Sequence, residues 1–158
     1  GSTVSGSVIT TNIDAQLIAT DSSCIVWGGK STNNSNAQRI YVTGWSNPPQ
    51  GASIELEGSM SLEQSGTVDY YDVSKTIGGE KLEDLDLVSA EPEAGDSGGP
   101  VIYPSIYGPL AGGTIVGMYS SGSNVYGVIE LIDAELYTYS LFTGDQVEPN
   151  VTTTGNSC

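Results

Sequence analysis

Hydrophobic positions along this chain come in short runs, many of them rich in β-branched and aromatic residues, separated by Gly, Pro, Asn and Ser. Runs punctuated in this way predict the strands of a sandwich or barrel, and no helical period is sustained. The pattern predicts strands over residues 4–10, 16–19, 24–27, 39–43, 53–57, 66–71, 86–88, 101–103, 113–119 and 125–130. Ser53-Ile54-Glu55-Leu56-Glu57 alternates cleanly, which predicts one apolar and one solvated face. Gly78-Gly79 and Gly112-Gly113 read as turns. A chain of 158 residues fits one domain, enough for a single closed core that buries about 70% of the unfolded surface.

Between the runs at 86–88 and 101–103 stands Gly95-Asp96-Ser97-Gly98-Gly99-Pro100. A serine hydroxyl is a poor nucleophile at neutral pH. It needs a base for its proton and donors for the oxyanion that forms on an attacked carbonyl. Glycine on both sides of Ser97 lets the backbone take tight turns and lets a substrate approach closely. The N–H groups of Gly95 and Ser97 can then converge on one point as an oxyanion hole, each donor contributing about 3–4 kcal/mol. A glycine-rich turn joining two strands is the bland alternative.

The chymotrypsin-like (trypsin-like) serine peptidases carry this hexapeptide around their catalytic serine, and the chain resembles them. Residues 117–122, Gly-Met-Tyr-Ser-Ser-Gly, resemble the strand that lines the primary specificity pocket, with Ser120, Ser121 and Gly122 placed to align a substrate. Residues 126–129 resemble the next strand, and residues 132–139 the short closing helix. More loosely, residues 51–68 resemble the opening strands of the second barrel. The resemblance implies an all-β, antiparallel chymotrypsin-like barrel with a short C-terminal helix. The second barrel would occupy residues 40–142, a remnant of the first barrel and a linker residues 3–39, and a polar tail residues 143–158. Gly1-Ser2 reads as a cloning scar.

In these peptidases the active site lies between two six-stranded barrels, with His and Asp on the first and Ser on the second. This chain has no histidine at all. About 35–40 residues precede the second barrel, too few for a closed barrel at about 5–6 residues per strand plus turns. Asn12-Ile13-Asp14-Ala15-Gln16-Leu17-Ile18 resembles the segment around the catalytic aspartate, so Asp14 would orient the imidazole, with Asp21 a second candidate. An Asp ahead of an apolar run also reads as a turn or strand boundary. Either the histidine comes from a missing N-terminal segment, or the chain is a degenerate protease that lost its base.

Nineteen acids against four bases give a net charge of −15. Nucleic acid and anionic membrane are therefore poor partners, and the resemblance implies a peptide or protein substrate. The acidity reads as a solubility device, or as attraction for basic peptides. Glu91 stands six residues before Ser97, where the resemblance places the base of the primary pocket; an acid there would select Lys or Arg. A solvated acidic loop is the alternative.

Cys24 and Cys158 could pair with each other, closing a loop whose nominal stabilisation is about 4–5 kcal/mol; they could also pair with another segment, or stay free. Asn33 and Asn150 begin N-x-S/T glycosylation motifs, which suits a secreted, extracellular protein. No metal or cofactor motif is present.

Three functions follow from this reading. The first is a portion of a serine endopeptidase acting through a Ser97 acyl-enzyme, inactive alone for want of histidine. The second is a pseudoprotease that binds peptides or proteins. The third is a secreted structural or adhesive β-domain.

Overall fold

In a computed structural model of the chain, the described residues are five short strands up to residue 27 and a continuous stretch from 39 to 143, with side chains described from 40 to 138. Asp21, Cys24, Asn33, Asn150 and Cys158 lie outside the described residues. Ahead of the barrel are three two-stranded antiparallel pairs. β1 (Ser2–Thr3), β2 (Val8–Thr10), β3 (Ile13–Ala15) and β4 (Ile18–Ala19) pair as β1 with β4 and β2 with β3. β5 (Ile25–Trp27) pairs with β6 (Arg39–Tyr41). A short β7 (Gly44–Trp45) then runs parallel to the strand that holds Leu110 and Ala111.

Six strands close the barrel: β8 (Ser53–Glu57), β9 (Glu63–Ile77), β10 (Glu80–Val88), β11 (Pro100–Ser105), β12 (Gly108–Ser121) and β13 (Asn124–Leu131). Around the ring, β8 pairs with β9, β9 with β10, β10 with β13, β13 with β12, β12 with β11, and β11 back with β8, every pair antiparallel. Closure gives every strand of the ring a partner on both sides along at least part of its length. Each strand sends alternate side chains inward, and the core draws on all six: Ile54, Leu56, Val68, Val88, Val101, Ile115 and Ile129. Their neighbours face outward. On β9, β10, β12 and β13 that outer face is also apolar, with Leu82, Leu85, Leu87 and Val128 buried and Val73, Val116, Tyr119 and Tyr126 packed against them. α1 (Ile132–Thr143) follows β13 directly and closes the chain's described part.

Several expectations change in detail. The runs at 66–71 and 86–88 are the inner halves of a long hairpin, β9–β10, whose outer half is too polar to read as strand. Gly78-Gly79 is its turn, both residues at positive φ (58° and 94°), as a two-residue hairpin turn of right-handed twist needs. Gly112-Gly113 is not a turn. Both residues lie inside β12, where the register against β11 slips between Val101 and Ile102 and a bulge takes up the extra residue. The outer face of β8 is not fully solvated either: Glu57 is buried where the loop carrying Ser97 crosses it. The closing helix runs to Thr143, past the expected residue 139.

Candidate active site

Residues 89–99 connect β10 to β11, strands that are not neighbours in the ring. The connection is therefore a loop laid across the barrel end, and its shape comes from two tight turns. The amide of Asp96 donates to the Glu93 carbonyl at 3.0 Å, and that of Gly99 to the Asp96 carbonyl at 2.9 Å. Gly95 and Gly98 stand at φ of 106° and 83°, a region side-chain-bearing residues rarely adopt. Gly98 donates to Ile115 O and Ile115 donates to Gly99 O, both at 2.8 Å, which pins the loop to β12.

Asp96 is the anchor. It is 1% exposed, and its carboxylate accepts from the amides of Met60 (2.6 Å), Ser61 (3.2 and 3.3 Å) and Glu93 (2.7 Å). It thus ties the loop to the β8–β9 turn. Gly58 makes the room: a Cβ there would lie 2.4 Å from the Asp96 carboxyl carbon. Burial alone would push this carboxyl up, but the Ser61 hydroxyl and the three amides outweigh it and hold the group below the usual carboxylate range. Asp96 therefore stays a carboxylate beside Ser97, its charge met by the amides it accepts from.

With Asp96, Gly98 and Gly99 donating inward, two amides of the hexapeptide remain. Among the described residues, neither Gly95 N nor Ser97 N has an acceptor. Ser97 is exposed, and its hydroxyl donates to the Val116 carbonyl at 2.8 Å. The nucleophile candidate thus sits at the point on β12 where pairing with β11 has ended. β11 accompanies β12 only as far as Thr114, whereas β13 continues to Ser121. From Gly117 to Ser121 the other edge of β12 carries no strand among the described residues.

The remaining candidates are dispersed. Glu91 is exposed, and its amide donates to Gln64 Oε1 at 3.1 Å. Its neighbours Ala90 and Pro92 are buried against β13, where Gly127 donates to Ala90 O at 2.7 Å and a Cβ would lie 2.9 Å from Pro92 Cδ. Ser120, Ser121 and Gly122 lie four to six residues beyond Val116, about 13 Å or more at about 3.3 Å per residue. They form the distal hairpin end rather than the wall beside Ser97. Asp14 lies mid-strand in β3, opposite Ile9, and ahead of β4; its side chain lies outside the described ones.

Sequence reasoning missed the clamp on Asp96 and four other buried acids, Glu57, Asp86, Glu130 and Glu135. Burial raises Asp86 to about 7, against the lowering effect of the Asp72 amide, which donates to its Oδ1 at 2.9 Å. Glu135 is also raised to about 7 by burial, despite a hydrogen bond from Thr114 Oγ1. Only the alternation around Leu85-Asp86-Leu87 could have flagged one of them. Among the described residues no group of three or more His, Cys, Asp and Glu could hold a metal ion, and no helix is long and apolar enough to cross a membrane.

A closed antiparallel six-stranded barrel, a glycine-turned serine loop across its end and a helix after the last strand define the chymotrypsin-like serine protease fold. Solved structures agree. The chain is similar to Thermobifida fusca protease A (22% identity, TM-score 0.61, covering 75% of this chain and 59% of that one). It is similar to a glutamic-acid-specific serine protease described as using a histidine triad in substrate binding (24%, 0.66, 86% and 70%). It is also similar to Cellulomonas bogoriensis chymotrypsin (20%, 0.64, 85% and 70%). The chain thus spans from under three-fifths to about seven-tenths of these proteases. No family model and no curated protein sequence matches it.

Proposed function

We propose that the chain is the serine-bearing portion of an endopeptidase, with Ser97 as the acyl-accepting nucleophile. One observation carries this reading: among the described residues, the two amides of the hexapeptide without acceptors are those of Gly95 and of Ser97, the residue whose hydroxyl is exposed. In the reaction, Ser97 Oγ attacks the peptide carbonyl carbon and its proton passes to an imidazole. The oxyanion is held by the N–H groups of Gly95 and Ser97. The imidazolium then protonates the leaving amine as the C–N bond breaks, leaving an ester on Ser97 that water cleaves by the reverse sequence. Since the chain has no histidine, the imidazole belongs to another segment, and Asp14 is the acid proposed to orient it. A disulfide through Cys24 or Cys158 would suit a secreted protein.

A second reading is a peptide-binding module. It is favoured by the Ser97 hydroxyl, which spends its hydrogen on the Val116 carbonyl instead of a base. A fluorophosphonate probe separates the two. The isolated chain is expected to label at Ser97 several orders of magnitude more slowly than the chain supplied with the His-bearing segment encoded upstream, and Ser97→Ala not at all. Fast labelling of the isolated chain would overturn the view that the base is external. No gain from the upstream segment would favour the binding module.

A further inference from the structure

The free edge of β12 leads from Ser97 to a pocket of about 220 Å³ on the outer face of the barrel, lined by Tyr70, Lys75, Tyr119, Ser121 and Tyr126 over the buried Leu87. The pocket is shaped by strand register. Tyr119 and Tyr126 are directly opposed on β12 and β13, and Leu87 of β10 opposes Tyr70 of β9. Tyr70 and Tyr126 meet edge to face, centroids 5.6 Å apart. Asn124 Nδ2 donates to the Tyr126 hydroxyl at 3.3 Å.

Lys75 gives the pocket its chemistry. Its Nζ lies 4.8 Å from the Tyr119 ring centroid, a cation–π contact, and the side chain is half-buried. The other lysine among the described side chains, Lys81, is paired with Glu83 at 2.5 Å. Among the described residues Lys75 has no carboxylate within ion-pair distance, in a chain of net charge −15. An ammonium group with tyrosine and serine side chains around it is a receptor for a carboxylate, and the described residues supply none.

Position converts this receptor into a subsite. Val116 marks the nucleophile, and Tyr119 and Ser121 lie three and five residues further along β12, about 10–17 Å at about 3.3 Å per residue. A peptide added antiparallel to the free edge would run toward Ser97 and place residues upstream of its scissile bond over the pocket. We infer that Lys75 and the tyrosines around it form a distal subsite for an acidic side chain, Asp or Glu, three to five residues on the N-terminal side of the bond presented to Ser97. This rests on the peptide-cleft reading above. The acidic field of the whole molecule disfavours polyacidic peptides, so the partner is a largely neutral peptide with a single acid in that window.

The test needs no catalysis. The ¹⁵N-labelled 158-residue chain is titrated with N-acetyl octapeptide amides of neutral sequence, each pair differing only by Glu or Gln at the third, fourth or fifth residue upstream of the residue set at Ser97. In at least one register the Glu peptide is expected to bind about five- to tenfold more tightly, with shifts at Lys75, Tyr119 and Ser121. Lys75→Met should reduce that gap to within about twofold, and Lys75→Arg should keep it, which guards against a variant that merely unfolds. Equal binding of Glu and Gln peptides along β12 overturns the subsite and leaves the cleft standing. No shift at residues 117–121 with any peptide overturns the cleft reading, and the subsite with it.

Discussion

At the scale of single residues, the position of Ser97 depends on Asp96 rather than on contacts of its own. The carboxylate takes three amide donors from both sides of the gap it bridges, the β8–β9 turn and the loop itself. Charge-assisted bonds to buried amides are among the stronger kinds, and unmaking them leaves donors buried without partners. Gly58 is the other half of this device, since the carboxylate fills the space where a side chain would stand. Gly58→Ala is therefore expected to destabilise the chain by about 2–3 kcal/mol, because the backbone of Asp96 is held by turns and cannot yield freely. Urea unfolding measures the loss. A cost under about 0.5 kcal/mol would mean that the clamp is dispensable.

At the scale of elements, the barrel is built from hairpins whose polar ends hide their length. The inner halves of β9 and β10 read correctly from Val68, Leu87 and Val88. The outer halves, Asp72-Val73-Ser74-Lys75-Thr76 and Lys81-Leu82-Glu83-Asp84, did not, because paired strands there alternate around bulges with Asp72 and Asp84 at positive φ (51° and 55°). The hexapeptide located the serine, but pairing alone could reveal that the pocket residues Tyr70, Lys75 and Tyr126 converge on one outer face. Tyr107, by contrast, lies exposed on the far hairpin tip between β11 and β12. Gly113 is the clearest case of a residue misread for lack of a partner strand. Its φ is 146°, and a Cβ there would fall 1.8 Å from the Glu130 carbonyl oxygen, inside the β12–β13 ladder. Gly113→Ala is thus expected to cost more than about 4 kcal/mol and to leave the chain largely unfolded at ambient temperature, judged by loss of amide dispersion. A well-dispersed spectrum would show that the bulge can open to admit a methyl group.

At the scale of the whole molecule, acidity and burial combine to set where on the pH axis the fold is most stable. Asp86 and Glu135 have folded-state values raised to about 7 by burial, well above those of an unfolded chain. The native state therefore binds more protons than the unfolded one between about pH 4 and pH 7, and stability must fall as pH rises through that window. Together the two groups would remove on the order of a few kcal/mol by pH 8. Asp96 acts in the opposite sense. Its lowered value gives stability that is complete above the ordinary carboxylate range and is lost as pH falls through the folded-state value. Self-repulsion at net charge −15 adds to the decline at neutral and higher pH. The urea midpoint is expected to peak near about pH 4–5, below the usual range of about pH 5–8 for globular domains. Asp86→Asn should flatten the fall between pH 5 and pH 8 while keeping the acceptor for the Asp72 amide. A midpoint that climbs from pH 5 to pH 8, or an Asp86→Asn variant with the parent's pH profile, would show that these carboxyls are ionised within the fold.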